Sequence, residues 1–319
     1  MGSYSVHIVI LNWNGLEDTL ECLRSVSALT YPDIRVQLVD NASSNNEAKK
    51  IASEFPNINV IANVENLGFC GGCNMGMRQA LIEGADFVML LNNDTIVPPD
   101  LVDVLVEEYV NLDHPGAVSP VILKYPETDK VWFSIAQWET DWRRGEAQFR
   151  LTLEDTYEVL RLRSPYKSEF ACGCCLFVSS DVIKKTGFFD ERYFAFFDEA
   201  EWCARMSQEG YESYVVPAAH MYHKVGGSVP SLVMTYLLSR NRLLWISDNL
   251  GFSQKLKAYP ILGKDLVWHL LNLAGVIRKK KQHTSRKYSR AVVWGTKDYL
   301  FRRFGKWHPK AEKTIFDPK

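Results

Sequence analysis

Nowhere in the 319 residues is there a run of about 20 apolar residues, so no segment reads as a membrane-crossing helix. The most apolar late stretch, residues 258–277, is interrupted by Lys264, Asp265, His269 and Asn272, which lets it lie on a membrane but not cross one. No basic-then-apolar leader precedes the first apolar run at Val6, and the seven cysteines are odd in number. Both absences predict a reduced, cytoplasmic setting and no disulfide framework. Cys70-x-x-Cys73, taken with Cys172, Cys174 and Cys175, lacks the spacing of a zinc ribbon, and small buried cysteines are expected instead. The glycine fingerprint of dinucleotide folds is also missing. After the first strand stands Leu11-Asn12-Trp13-Asn14-Gly15. Repeats and low-complexity linkers are absent.

Strand-like runs alternate with helical periods through the first half. Val6–Leu11, 36–39, 58–61 and 87–91 read as strands, with helices after Gly15, near 46–55, near 74–83 and from Pro98 to about Asn111. This alternation predicts an α/β fold, a mostly parallel central sheet flanked by helices. Residues 117–123 and 174–179 read as further strands, and residues 124–168 as a Trp- and charge-rich insertion. Beyond His223 the chain turns helical at 231–249, 253–273 and about 285–304. The expected division is 1–227, with halves 1–111 and 112–227, followed by a helical C-terminal region 228–319, the boundary lying near Gly226-Gly227.

Several clusters carry chemistry. Val88–Leu91 is an uninterrupted apolar run, as for a strand buried on both faces, and it leads into Asn92-Asn93-Asp94. Those polar groups must emerge at the carboxyl end of the strand, where open α/β sheets bind ligands, and a carboxylate there suits a hard cation holding a diphosphate. A plain strand-to-helix turn is the competing reading. Asp40 ends the second strand, where it can bond a base or ribose, while Asn41 and Ser43 read equally as turn and cap. Gly68, Gly71, Gly72 and Gly76 open the third helix, serving either close ligand approach or helix packing. Asp198-Glu199-x-Glu201 follows Phe196-Phe197. Asp198 and Glu201 read as a capping box, whereas Glu199 has no capping duty and lies beside aromatics, as a general base does. His223 is a candidate imidazole ligand.

Taken in order, Val9-Ile10-Leu11-Asn12-Trp13-Asn14-Gly15, Val39-Asp40-Asn41-Ala42-Ser43, Asn66-x-Gly68-Phe69-x-Gly71-Gly72-x-Asn74-x-Gly76, Leu91-Asn92-Asn93-Asp94, Phe188-Phe189-Asp190-Glu191, Asp198-Glu199-x-Glu201 and Tyr222-His223 resemble the family 2 inverting glycosyltransferases. The resemblance is nearest to the bacterial rhamnosyltransferase-like and galactofuranosyltransferase-like branch and spans about residues 5–245. It implies a GT-A fold and a UDP- or dTDP-sugar donor, with dTDP-rhamnose one possibility. The acceptor would be a hydroxyl of a glycan or lipid-linked substrate in cell-surface polysaccharide synthesis. By position it places the donor against Asn12, Asn14, Asp40, Asn41, Gly68, Gly71, Gly72, Asn74, Asn92 and Asn93. It puts Mg²⁺ or Mn²⁺ on Asp94 and His223, with Glu199 as base beside Asp198. The metal motif is Asn-Asn-Asp, not Asp-x-Asp. The Gln-x-x-Arg-Trp motif of processive synthases is absent, with Ser239-Arg240-Asn241-Arg242 near its place, so addition of one or a few sugars is expected. A nucleotidyltransferase would want a phosphate loop and a cation near the first strand, and a non-catalytic sugar-nucleotide-binding protein would not need Asp94, Glu199 and His223.

The net charge of −1 conceals a split. Residues 276–319 hold 14 Lys and Arg against 3 Asp and Glu, a balance of +11, which leaves −12 on the preceding 275. Arg278-Lys279-Lys280-Lys281, Arg286, Lys287, Arg290, Arg302 and Arg303 alternate with Tyr288, Val292, Trp294, Leu300 and Phe301. That mixture predicts contact with an anionic membrane surface, the inner face of the cell membrane, and no nucleic-acid motif accompanies it.

Overall fold

The computed structural model describes residues 3–141, 143–224, 231–276 and 285–316. The chain divides into two units. One comprises Met1–Gln137, Arg150–Phe189 and Trp202–Ser228; the other comprises Trp138–Phe149, Asp190–Glu201 and Val229–Lys319. The expected boundary at Gly226-Gly227 and the basic run Arg278–Lys281 lie outside the described residues.

In chain order the elements are β1 (Val6–Asn12), α1 (Leu16–Val26), β2 (Ile34–Asp40), α2 (Glu47–Glu54), β3 (Asn59–Ala62), α3 (Gly68–Ile82), β4 (Phe87–Asn92), β5 (Thr95–Ile96), α4 (Leu101–Asn111), β6 (Pro115–Lys124), β7 (Val131–Phe133), β8 (Gln137–Asp141), β9 (Glu146–Arg150), α5 (Tyr157–Leu160), β10 (Tyr166–Ser168), β11 (Cys175–Ser179), α6 (Ser180–Thr186), α7 (Asp198–Gln208), β12 (Glu212–His223), α8 (Ser231–Asn249), α9 (Phe252–Leu273), α10 (Arg286–Leu300) and α11 (Pro309–Ala311). The main sheet is ordered β10-β12-β6-β11-β4-β1-β2-β3. Strands β3, β2, β1 and β4 pair in parallel, and β11 runs against both β4 and β6. β6 pairs in parallel with β12. The expected α/β fold with a mostly parallel central sheet is therefore the observed one. The interior of the sheet is apolar because β1, β4 and β11 are covered on both faces. Ile8, Ile10, Val88, Met89, Leu90, Leu176 and Phe177 have no exposed surface.

Two boundaries differ from the sequence expectation. The third helix begins at Gly68 and not near Asn74, so its glycines lie within helix. A Cβ at Gly72 would overlap Leu11 Cδ1, and one at Gly76 would overlap Val9 Cγ1. The helix needs these glycines to lie close on β1, and this outweighs their poor helix propensity. Val215-Val216-Pro217 reads in the sequence as the end of a strand, but the last strand of the sheet runs on past Pro217. A register shift between Val216 and His220 absorbs the irregularity, and β12 continues to His223. The insertion 124–168 holds β7, the β8–β9 hairpin, α5 and β10.

In the second unit α10 packs closely on α8. A Cβ at Gly295 would overlap the Tyr236 carbonyl, and Ala291 and Val292 are buried. Phe194, Val233, Tyr236, Leu237, Ala291, Ala311 and Ile315 form its apolar core, flanked by Trp294 and Trp307. The aromatic and aliphatic residues of α10 are thus partly spent on packing. Tyr236 donates to the buried Asp298 at 2.6 Å, and Ser289 joins α10 to α9 through His269 (2.9 Å) and Asn272 (2.8 Å).

Gly76→Ala is expected to destabilise the protein by about 1–2 kcal/mol, because overlap with a strand-held Val9 exceeds the roughly 1 kcal/mol helix-propensity gain. Thermal melting tests this, with Val9→Ala added to return the space. A Gly76→Ala protein that melts at or above wild type contradicts the packing argument.

Candidate active site

The parallel register brings polar residues of neighbouring strands to one edge. Asn12 stands opposite Asp40, and Leu11 opposite Asn92. The Asn12 amide donates to Asp40 Oδ1 (2.7 Å), Ser43 Oγ (3.1 Å) and Glu47 Oε2 (3.0 Å), and its carbonyl accepts from Thr19 Oγ1 (2.8 Å). Asn93 in turn donates to Thr19 (2.8 Å), so a continuous polar chain runs from Asp40 to Asn93. Asn14, at φ 51°, accepts from the Ser44 backbone and hydroxyl at 2.8 Å each. Asn41 spends both ends of its amide on the following loop. It donates to Asn66 Oδ1 and the Gly68 carbonyl and accepts from Asn63 and the Leu67 amide.

These commitments redistribute the roles expected from sequence. Asn12, Asn41 and Asn74 are buried, and their side chains bond within the protein. Asn74 makes a two-point bond with the Phe189 backbone, at 3.0 Å in each direction. Gly71 and Gly72 are buried in α3, where Gly72 serves helix-to-strand contact. Gly68 has a positive φ of 77°, as the turn into the helix requires. Asp40 keeps acceptor capacity after its bonds from Asn12 and the Ser43 amide.

Asp94 and His223 are brought together by antiparallel pairing of β5 with β12, in which Thr95 faces His223. His223 Nε2 lies 3.2 Å from Asp94 Oδ1. Asp94 Oδ1 and His223 Nδ1 are nonetheless buried with no hydrogen-bond partner, so the close approach lacks the alignment of a hydrogen bond. Two ligands about 2.1 Å from one octahedral ion stand about 3 Å apart, so this bite fits a shared divalent cation. Among the described residues no group of three His, Cys, Asp or Glu side chains is arranged to hold a metal, and this pair is what the fold provides.

Two neighbours of the pair were not expected from sequence. Cys174 Sγ lies 4.0 Å from His223 Nε2 and 3.5 Å from the Asn92 amide. The Trp132 ring packs edge-on against His223, with centroids 4.7 Å apart. Their only sequence signal is that Cys174 opens the run read as a strand and Trp132 lies in the insertion. The pairing of β11 with β4 was needed to place Cys174, and that of β7 with β6 to place Trp132.

The acidic pair belongs to the second unit. Phe194, Phe196 and Phe197 take left-handed backbone conformations, with φ of 66°, 68° and 67°, which bulky residues adopt only when surroundings impose it. The imposing groups are Arg240 and Asn241 of α8, both fully buried. The Asn241 amide faces the carbonyls of Tyr193, Ala195 and Phe196 at 2.7–2.9 Å. Arg240 donates to Asn241 Oδ1, Tyr193 O and Gly305 O. Asp198 then enters the first turn of α7 buried, with Oδ2 unpartnered. Burial, and then the charge of Glu199, push the Asp198 carboxyl well above the usual carboxylate range. Burial also raises Glu199, to about 7, against the pull of its own backbone N–H. Phe197, Phe149, Trp138 and Trp245 form an aromatic cluster in the same unit, with neighbouring centroids 4.8–6.2 Å apart.

Comparison with known proteins agrees with these features. Residues 6–187 match the profile of Glycosyl transferase family 2. The chain is 26% identical over 240 residues to the N-acetylglucosaminyl-diphospho-decaprenol L-rhamnosyltransferase of Mycobacterium tuberculosis, covering 70% of this chain and 77% of that one. It is 22% identical over 255 residues to the dTDP-rhamnosyl transferase RfbF of Shigella flexneri, covering 77% and 81%. Among solved structures it resembles a mannosyltransferase of Pyrobaculum calidifontis in complex with GDP-Man and Mn²⁺, with a TM-score of 0.56, 16% identity and coverage of 95% and 89%. More than half of the chain matches the family profile, and its sheet follows the GT-A pattern. The chain therefore belongs to glycosyl transferase family 2 and is a GT-A glycosyltransferase.

Proposed function

We propose that the protein transfers one or a few sugars, with inversion, from a UDP- or dTDP-sugar to a hydroxyl of a glycan or lipid-linked acceptor in cell-surface polysaccharide synthesis. dTDP-rhamnose is the donor we favour, because two relatives are named as rhamnosyltransferases. We read its place of action as the cytoplasmic face of the membrane, where a lipid-linked acceptor is reachable. The observation that carries the reading is the acidic pair at the first turn of α7: Asp198 is buried with Oδ2 unpartnered, and burial pushes the adjacent Glu199 carboxyl up to about 7. A base of that strength is half in its acceptor form at neutral pH and can take a hydroxyl proton during attack on the anomeric carbon. A nucleotidyltransferase or a sugar-nucleotide-binding scaffold has no use for such a group.

Asp40 would accept from the base or ribose at the strand edge, and Asp94 and His223 would hold Mg²⁺ or Mn²⁺. The cation, when bound, offsets charge on the departing diphosphate. With Asp94 and His223 as its protein ligands, such an ion would bind more tightly in the presence of the donor diphosphate. The half-buried rings of Trp138, Phe149 and Phe197 supply an apolar wall of the kind a sugar ring packs against.

Asp94→Ala is expected to weaken Mn²⁺-dependent binding of dTDP or UDP by at least about tenfold with little change in melting temperature. Calorimetry with and without Mn²⁺ measures this; unchanged affinity removes Asp94 from the metal site.

Glu199→Gln should lower kcat by about 10²–10⁴-fold while keeping donor affinity, because the amide cannot take a proton. In the wild type, kcat/KM should rise with pH through about 7, as Glu199 loses its proton. Turnover within tenfold of wild type, or a flat profile between pH 6 and 8, would assign the base elsewhere.

The same ionisation costs stability. Both carboxyls hold their protons more tightly folded than unfolded, so stability is unaffected below the unfolded pKa near 4 and declines as pH rises through the folded values. Asp198→Asn removes part of this cost. Its melting temperature should match wild type near pH 4.5 and exceed it at pH 8, by on the order of 5 °C. A gap that is constant with pH contradicts the assignment.

A further inference from the structure

Helix α9 carries an apolar face that no described residue of its unit covers. Its inward side holds Ala258, Ile261, His269 and Asn272, all buried. The opposite side carries Phe252, Leu256, Tyr259, Val267, Leu270 and Leu271, with 78%, 59%, 37%, 54%, 46% and 39% of their surfaces exposed. The positions 252, 256, 259, 263, 267 and 270 are separated by three or four residues, so they form one stripe along a 22-residue helix. Pro260, Gly263 and Ala274 fill the gaps, and no charged residue lies within the stripe. A monomeric soluble surface scatters its exposed apolar residues singly, and a continuous stripe of this length marks a contact surface.

The charges at its borders identify what it contacts. Lys257 and Lys264 are exposed along one margin. Asp265, the one acidic residue of the helix, is turned to the other side, 3.6 Å from His269 and 4.0 Å from Arg242. A second copy of the chain docked on this face would bring two sets of cations to one interface. An anionic lipid surface neutralises them. No helix of the described residues is long and apolar enough to cross a membrane, so the stripe would lie in the plane of the headgroups.

We propose that the exposed face of α9 is a membrane-docking surface that inserts Phe252, Leu256, Tyr259, Val267 and Leu270 at the headgroup–acyl boundary of an anionic bilayer, with Lys257 and Lys264 at its margin on the phosphates. This deepens the reading of a lipid-linked acceptor by naming the surface that would meet the lipid. It differs from attachment by a basic tail alone, because apolar insertion survives salt that screens surface charge.

The test is co-sedimentation of the full chain with vesicles of phosphatidylcholine and phosphatidylglycerol in a roughly 2:1 ratio, at about 0.1 M and about 0.5 M salt. The vesicles contain neither donor nor acceptor, so this result stands apart from any sugar-transfer assay. The wild type should pellet at both salt concentrations. Leu256→Ser/Val267→Ser/Leu270→Ser, which leaves charge unchanged, should bind at least about tenfold more weakly. Phe252→Ser alone, at the exposed start of the helix, should reduce binding in the same direction, and it serves if the triple variant melts early. Equal pelleting of wild type and variants overturns the proposal, as does absence of wild-type binding at the lower salt. A wild type that sediments as a dimer, becomes monomeric in these variants and ignores vesicles would reassign the face to self-association.

Discussion

The register of β1, in which Asn12 stands opposite Asp40 and Leu11 opposite Asn92, forces polar residues to one edge of a sheet whose interior is sealed by Val, Ile, Leu and Met. A shift of one residue would turn those side chains to the other face and strand amides among buried aliphatics. The polar chain from Asp40 through Asn12 and Thr19 to Asn93 satisfies the edge and also locks the register that creates it. Close seating of α3 depends on the same strand, since Gly72 and Gly76 admit Leu11 and Val9.

The buried polar atoms that the fold leaves without a hydrogen-bond partner include carboxylate oxygens expected to meet ion or acceptor. Asp94 Oδ1, His223 Nδ1 and Asp198 Oδ2 are buried and unpartnered, in a protein that elsewhere bonds its buried amides at both ends. Such groups destabilise the folded chain, and they persist because surrounding structure holds them. A cation held between Asp94 Oδ1 and His223 Nε2 would give that carboxylate oxygen its missing partner.

The backbone before α7 is held by a similar device in the second unit. Three phenylalanines with positive φ are unfavourable in isolation, and the buried Arg240–Asn241 pair compensates by donating into the carbonyls they expose. The cation itself is tolerable there because its donors reach backbone oxygens. Asp198 and Glu199 thus begin a helix whose entry is anchored from α8, and burial shifts their proton affinity upward.

The local sequence determined the alternation of strands and helices, the burial of Val88–Leu91, and the emergence of Asp40 and Asp94 at strand ends, since periodicity and polarity act over a few residues. The ordered motifs further identified the family. Only the tertiary structure decided that Asn12, Asn41 and Asn74 bond inside the protein, because their partners Glu47, Asn66 and Phe189 lie 25–115 positions away. The length of β12, which carries His223 up to Thr95, depended on a bulge that Pro217 disguised as a strand end. Ser239-Arg240-Asn241-Arg242 looked in sequence like the place of a missing motif and became a clamp once the 193–196 carbonyls were beside it. The same holds for α9. Its composition was visible from the start, but which of its faces would remain uncovered depended on what α10 chose to pack against.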